Sequence, residues 1–388
     1  MGKRICFISS RSGYLYGDTK VITDWANGRL VTELLWDKQY RWSFAIFSDP
    51  VVGKNYDYQI KADKIYALPF PFSYVGGLKN SFIFYNILKK IERENDLLVI
   101  QLPIISFLPL LFLRKPVVYH LSANVLTASA NPFKYKGLKL WASISFANGM
   151  NVVFRKLFIQ RQNQLIVNGN ELGALFKKFN PTVVVSSSIK HSEIILSEEI
   201  AVRRNPEFRI LFIGRPSMEK GINVLLEAFK KLVDNGKNVT LTMIGVGKEE
   251  LNRNLINFEV EEKYLSRISC HGFIPWGGQF ISIVKECHCL VMCSFSEGTP
   301  RVIIEAMALG CPVIATKVGG VSTVINGSNG LLIPVGKVES LTEAIEKLQN
   351  DEEFRLSMAK QALEDVKNFT LERFTDVFKK LIAEQQKS

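Results

Sequence analysis

Apolar runs of four to seven residues, separated by longer stretches of helical periodicity, recur along the whole chain and leave few architectures open. The first half supplies RICFIS, RWSFAIF, DLLVIQL, PVVYH and QLIVN; the second supplies FRILFIG, VTLTMIG, ISCHGF, CLVMCS, CPVIAT and GLLIPV. Such alternation predicts an α/β protein whose parallel sheets are covered by helices on both faces. The pattern lapses in KHSEIILSEEIAVRRNPEF, which is charged and weakly periodic, and restarts at RILFIG. The expectation is therefore two doubly wound Rossmann-like domains, residues 1–195 and 196–370, facing each other across a cleft. Ligands of such sheets sit at the carboxyl ends of the strands. Residues 371–388 predict an amphipathic helix, apolar at 371, 374, 377, 378, 381 and 382, that docks on either domain.

Charge is unevenly spread. Residues 1–196 hold 25 Lys+Arg against 12 Asp+Glu, whereas 197–388 hold 24 against 25. A basic first half fits an anionic partner, whether nucleic acid, lipid headgroup or phosphorylated acceptor, or simply a solvated basic face. The stretch LLVIQLPIISFLPLLFLRK, 97–115, tempts a transmembrane reading, but Gln101, Pro103, Ser106 and Pro109 interrupt it. It reads better as a strand, a short apolar helix and, after Arg114-Lys115-Pro116, another strand. Lys3 and Arg4 precede only ICFISS, so no secretory signal is expected. Six cysteines without a disulfide framework fit a reducing cytoplasm. Cys287-His288-Cys289, with Cys293 and His271, invites zinc, but no second pair completes four ligands and no metal site is expected.

The stretch SEGTPRVIIEAMALGCPVIAT, 296–316, carries the chemistry. Thr299 as N-cap and Pro300 at the first helical position predict a helix from 300 to about 309, stopped by Gly310. Glu297 then lies in the preceding loop and Glu305 inside the helix, about 6–8 Å beyond the first turn. Free N–H groups at the helix start form an anion site. Arg301 opposes the helix dipole by roughly 0.3–1 kcal/mol, a cost that a bound phosphate reverses. A carboxylate grips a sugar diol well, so phosphate at the helix start with one polyol on Glu297 and another on Glu305 outlines a nucleotide sugar. Taken alone, the stretch is equally readable as an exposed Arg301–Glu305 pair, with Glu297 merely favouring the dipole.

GRPSMEKG, 214–221, follows the strand RILFIG. Gly214 permits close backbone approach, and Arg215 and Lys220 at one strand end suit a diphosphate. MIGVGKEE, 243–250, and HGFIP, 271–275, offer Gly245 and Gly272 at two further strand ends, as weaker signals of ligand approach.

FIGRPSMEKGINVLLEAF together with SFSEGTPRVIIEAMALGCPVIATKVGG resembles the donor-binding half of family 4 glycosyltransferases, retaining enzymes of the GT-B fold. Glu297 and Glu305, with seven residues between them, match that family's Glu-x7-Glu motif. The likeness covers roughly 205–345 and extends faintly to PVVYHLSANV in the first half. It implies that Arg215 and Lys220 bind the diphosphate, Glu305 the ribose and Glu297 a sugar hydroxyl. The backbone of Gly298, Thr299, Pro300, Arg301 and Val302 would contact sugar and phosphate. Phe273 and Ile274 would frame the base, and His120 would reach the sugar from the other domain. Many relatives carry a Gly-Gly loop near the N-terminus, whereas SSRSGYLYGDTK separates Gly13 from Gly17. Gly17 is the residue expected near phosphate or acceptor, and acceptor choice stays open.

The resemblance further implies retention of configuration, with a UDP-sugar the first donor to expect and no cofactor required. Two cations and a helix N-terminus would stabilise the leaving group. For the acceptor, the basic half and the aromatic-rich LPFPFSYVGGLKNSFIFYNILKK, 68–90, suggest a lipid-linked or cell-surface glycan of the capsule or lipopolysaccharide kind. It would be made in the cytoplasm at the inner face of a membrane. Two alternatives are a related GT-B enzyme such as a nucleotide-sugar epimerase, which should lack this Arg/Lys and Glu-x7-Glu combination, and a basic nucleic-acid-binding protein. No nucleic-acid-binding module is recognisable.

Overall fold

The structure, a computed structural model, describes residues 2–35, 37–51, 56–69, 80–130, 133, 135–160, 163–200, 207–247 and 262–385. Two compact units result: Met1–Ser188 with Leu371–Ser388, and Ile189–Thr370. Both are α/β, as the alternation of apolar runs predicts. Residues 70–79 of the aromatic-rich stretch, 248–250 of MIGVGKEE and 201–206 of the charged break lie outside the described residues.

In the second unit the strands are β10 (Phe208–Ile213), β11 (Val239–Ile244), β12 (Ile268–Cys270), β13 (Cys289–Met292), β14 (Val313–Thr316) and β15 (Leu331–Ile333). All pair in parallel, in the order β12-β11-β10-β13-β14-β15. Counted from β10, that is 3-2-1-4-5-6, and the order reverses between β10 and β13. Ligands of such sheets bind beyond the carboxyl ends at that reversal. The helix after β10, Ile222–Asp234, buries Ile222, Leu225, Leu226, Phe229 and Leu232. That spacing lays one apolar stripe on the sheet.

The first unit has β1 (Arg4–Tyr16), β2 (Lys20–Thr23), β3 (Arg41–Ser48), β4 (Tyr58–Lys61), β5 (Ile65–Leu68), β6 (Leu97–Leu102), β7 (Val117–Leu121), β8 (Gln164–Asn168) and β9 (Thr182–Val184). Its parallel strands run β5-β3-β1-β6-β7-β8-β9. The stretch 97–115 forms β6 and then a 3-10 helix, Leu108–Phe112, and β7 follows. Among the described residues no helix is long and apolar enough to cross a membrane.

Where many relatives of the resembled family carry a Gly-Gly loop, β1 runs on through SSRSGYLY to Tyr16, with an irregularity between Ile8 and Ser12. It turns back as an antiparallel hairpin with β2, and β2 pairs with β4. Extended pairing satisfies the backbone groups that a loop would leave open.

Three longer helices of this unit are α1 (Trp25–Leu35), α2 (Ser81–Glu94) and α3 (Gly137–Ile159). The chain's last helix, α4 (Leu371–Glu384), returns to the unit and buries Leu371, Phe374, Phe378, Leu381 and Ile382 among Ile5, Val99, Val118 and Ile166. Five such side chains withdrawn from water favour the docking by on the order of 10 kcal/mol before entropy is counted.

Candidate active site

Two loops leave the carboxyl ends of β10 and β13, the neighbouring strands at the reversal, and they are sewn together. Phe295 N donates to Glu219 O at 2.8 Å. Gly221, at φ +69, passes so close to the β13 loop that a Cβ would stand 2.0 Å from Cys293 O. Only glycine combines that backbone angle with that approach. The result brings together two of the expected residues. Lys220 Nζ donates to Glu297 Oε1 at 2.6 Å, with the lysine side chain 31% and the glutamate 11% exposed.

Glu297 is oriented from several sides. Ser294 Oγ donates to the same Oε1 at 2.6 Å, and Ser294 O in turn accepts from Thr316 Oγ1 at 2.6 Å. Beneath the loop, Gly320 N donates to Gly298 O at 2.8 Å. Gly319, at φ +49, leaves only 1.9 Å between an added Cβ and Glu297 O. Sequence reasoning singled out neither Ser294 nor these glycines. Their visible signal was slight: a serine three residues before a loop glutamate, and a Gly-Gly pair just after a strand.

Arg215 is exposed on the β10 loop and has no hydrogen bond or ion pair among the described residues. Gly214 N donates to Ile244 O at 2.9 Å, and Gly245 N to Gly272 O at 2.6 Å, so the loops after β10, β11 and β12 form one rim. On that rim Phe273 is 56% exposed, whereas Ile274 is buried. An exposed aromatic ring offers a flat face to a planar ligand.

The helix Arg301–Ala308 starts one residue later than expected. Pro300, at ψ 118, occupies the cap position, and no side chain caps the helix. Thr299 Oγ1, expected to cap, is buried without a hydrogen-bond partner. Gly310 stops the helix at φ +60, as predicted. Val302 is half-buried. Glu305, also half-buried, has no hydrogen-bond partner among the described residues. Burial raises its carboxyl above the usual range, and Arg301 one turn earlier opposes that rise. A carboxylate kept short of partners in this way is ready to accept hydroxyl hydrogen bonds.

The other two expected site residues lie in the first unit. Gly17 sits at the tip of the β1–β2 turn at φ +65, with open space around it. Its positive φ is what the hairpin turn requires. His120, expected at the sugar, is 1% exposed, and its ring packs edge-on to Phe374 and Phe378 at centroid distances of 5.5 and 5.2 Å. Neither ring nitrogen has a hydrogen-bond partner, and burial depresses its pKa to about 3. In this structure His120 is a neutral core residue.

The cysteine cluster is likewise built into packing. Cys287, Cys289 and Cys293 are buried, and His288 Nδ1 accepts from Arg209 N at 3.0 Å while its ring stacks on Phe208. Among the described residues no three His, Cys, Asp or Glu side chains gather as a metal would need.

Residues 196–365 match the family model described as glycosyl transferases group 1. The chain is 34% identical over 174 residues to the capsular polysaccharide biosynthesis glycosyltransferase CapM of Staphylococcus aureus, covering 45% of each. It therefore spans about half the length of that relative. It is 24% identical over 265 residues to the N,N'-diacetylbacillosaminyl-diphospho-undecaprenol alpha-1,3-N-acetylgalactosaminyltransferase of Campylobacter jejuni, covering 67% of this chain and 66% of the relative. Among solved structures, Anabaena HepE in complex with UDP-glucose superposes with a TM-score of 0.66 at 18% identity, over 98% of this chain and 100% of that one. Sucrose-phosphate synthase from Thermosynechococcus elongatus gives 0.69 at 18% identity, over 98% of this chain and 100% of that chain. At such identities these likenesses speak for the fold alone, which is GT-B.

Proposed function

Starting from a glycosyl transferases group 1 domain at 196–365, we propose that the chain is a retaining glycosyltransferase. It moves a hexose-type sugar from a nucleoside-diphosphate sugar, first of all a UDP-sugar, to a hydroxyl of a lipid-linked or cell-surface glycan. The observation that carries this reading is the Lys220–Glu297 pair at the strand reversal, with Arg215 unpaired on the same loop. Without donor, the lysine charge is held by the glutamate. A diphosphate brings more negative charge than one carboxylate and draws both cations, while Glu297 turns to a sugar hydroxyl. Glu305, without a hydrogen-bond partner of its own, takes the ribose hydroxyls, and Phe273 stacks on the base.

In the reaction the bond from the anomeric carbon to the diphosphate breaks, and the acceptor oxygen bonds to that carbon on the same face. The acceptor proton passes to the departing phosphate oxygen. Arg215, Lys220 and the start of Arg301–Ala308 stabilise the charge developing there, where preorganised groups contribute most. The CapM and undecaprenol-linked relatives support a glycan or lipid-linked acceptor, and the UDP-glucose complex of HepE supports the donor class.

Calorimetry of the full chain against UDP-, GDP-, ADP- and dTDP-sugars tests the proposal. Binding of one activated sugar, weakened by Lys220→Ala, is expected. No heat with any of the four, from folded protein, rejects it.

A further inference from the structure

Helix α3 buries Ala147, Met150, Phe154, Leu157 and Phe158, yet its opposite side is not polar. Leu138 is 90% exposed, Trp141 77%, Val152 56% and Ile159 68%. Spacings of three, eleven and seven residues keep these four on one stripe, which the exposed Ser145 and Asn148 share at mid-helix. Large apolar side chains thus stand on the solvent side of α3 as well as on its core side, and α3 is not apolar enough to span a bilayer.

Other helical elements of this unit also expose large apolar side chains. Phe112 on the 3-10 helix is 60% exposed and stands edge-on to Tyr85 of α2 at 5.7 Å, and Phe82 in the first turn of α2 is 73% exposed. Nine of the seventeen exposed large apolar side chains among the described residues belong to α2, the 3-10 helix, α3 and Phe133 just before it. Exposed large apolar side chains thus concentrate on these few helical elements.

Charge identifies what covers them. Residues 97–170 contain eight Lys or Arg and not one Asp or Glu. On α3, Lys156 lies on the apolar stripe itself, while Lys139 and Arg155 flank it, each turned about 100° to either side of Leu138. All three are exposed and make no ion pair among the described residues. A second copy of this chain would bring the same positive face and be repelled. An apolar stripe with an exposed tryptophan, with cations and no carboxylate on the same helix, suits an anionic lipid surface.

We propose that α3 lies flat on an anionic bilayer along its length of about 34 Å, with Leu138 and Trp141 in the headgroup region and Lys139, Arg155 and Lys156 toward lipid phosphates. This deepens the reading above by giving a lipid-linked acceptor a surface on which to be met, but it is measurable without turnover.

The test is co-sedimentation of the full chain with vesicles of phosphatidylcholine alone and of phosphatidylcholine mixed with phosphatidylglycerol. Binding to the mixed vesicles, weakened by salt and slight on the neutral ones, is expected. Lys139→Ala/Arg155→Ala/Lys156→Ala should weaken it on the order of 100-fold, and Leu138→Ala/Trp141→Ala on the order of tenfold or more. Circular dichroism of each variant should match the parent, since all five positions face solvent. Absence of binding, equal binding by parent and variants, or self-association that Trp141→Glu abolishes would each overturn the proposal. Vesicle binding without any nucleotide-sugar heat would leave this inference standing and remove the glycosyl-transfer reading.

Discussion

The two units wind the same order of parallel strands, but they treat the carboxyl end of their first strand in opposite ways. In the second unit β10 ends at Ile213, and the chain turns from Gly214 through Arg215 to Lys220, leaving charged side chains above the sheet. In the first unit β1 continues into a hairpin, and the space at Gly13 is taken by Ile22 O, Val21 and Ile46. The histidine near the end of β7, two strands away, is closed over by α4. A shared scaffold therefore supplies a binding rim only where the loops permit it, and elsewhere the same positions become core.

The largest effect that separates the two is on stability. Phe378→Ala empties a fully buried position of the first unit and should cost about 3–5 kcal/mol in denaturant unfolding, while leaving nucleotide-sugar heat at low temperature intact. Loss of that heat together with stability would mean that the units are not separable in this sense. Next, Lys220→Ala should lower turnover by about 10²–10³-fold, roughly 2.7–4 kcal/mol, with little change in unfolding midpoint. A variant that transfers sugar normally would place the diphosphate elsewhere.

The finest effect to measure, a slope and not a single loss, is the pH response of His120. Its folded pKa, about 3, lies below the ordinary 6.5, so the folded state binds the proton less readily than the unfolded one. The stability this contributes is fully present above pH 6.5 and declines as pH falls from there toward 3, by up to about 1.4 kcal/mol per unit. Urea titrations of parent and His120→Leu protein between these limits should show a shallower slope for the variant. Identical slopes would show that the ring reaches solvent.

Local pattern carried the strand–helix alternation, the α/β class and the αL stop at Gly310, because each depends on residues close together in the chain. Features settled by distant partners were not legible. Gly221 and Gly319 are constrained by carbonyls of Cys293 and Glu297, more than twenty positions away from either. The extension of β1 through SSRSGYLY was not legible either, because only β2 and β3 make it a strand. The start at Arg301 rather than Pro300 differs by one position, which the extended backbone of Pro300 decides. His120 could not be read at all without Phe374 and Phe378, some 250 residues later.

That the closing helix belongs to the opening unit has a consequence for how the molecule is made. The middle stretch, 189–370, leaves the ribosome and can complete its fold first, while the earlier-made portion waits with the seat of α4 uncovered, showing Val118 and Ile166 to water. A chain cut within α4 would thus carry its damage in the opening unit, not at the broken end.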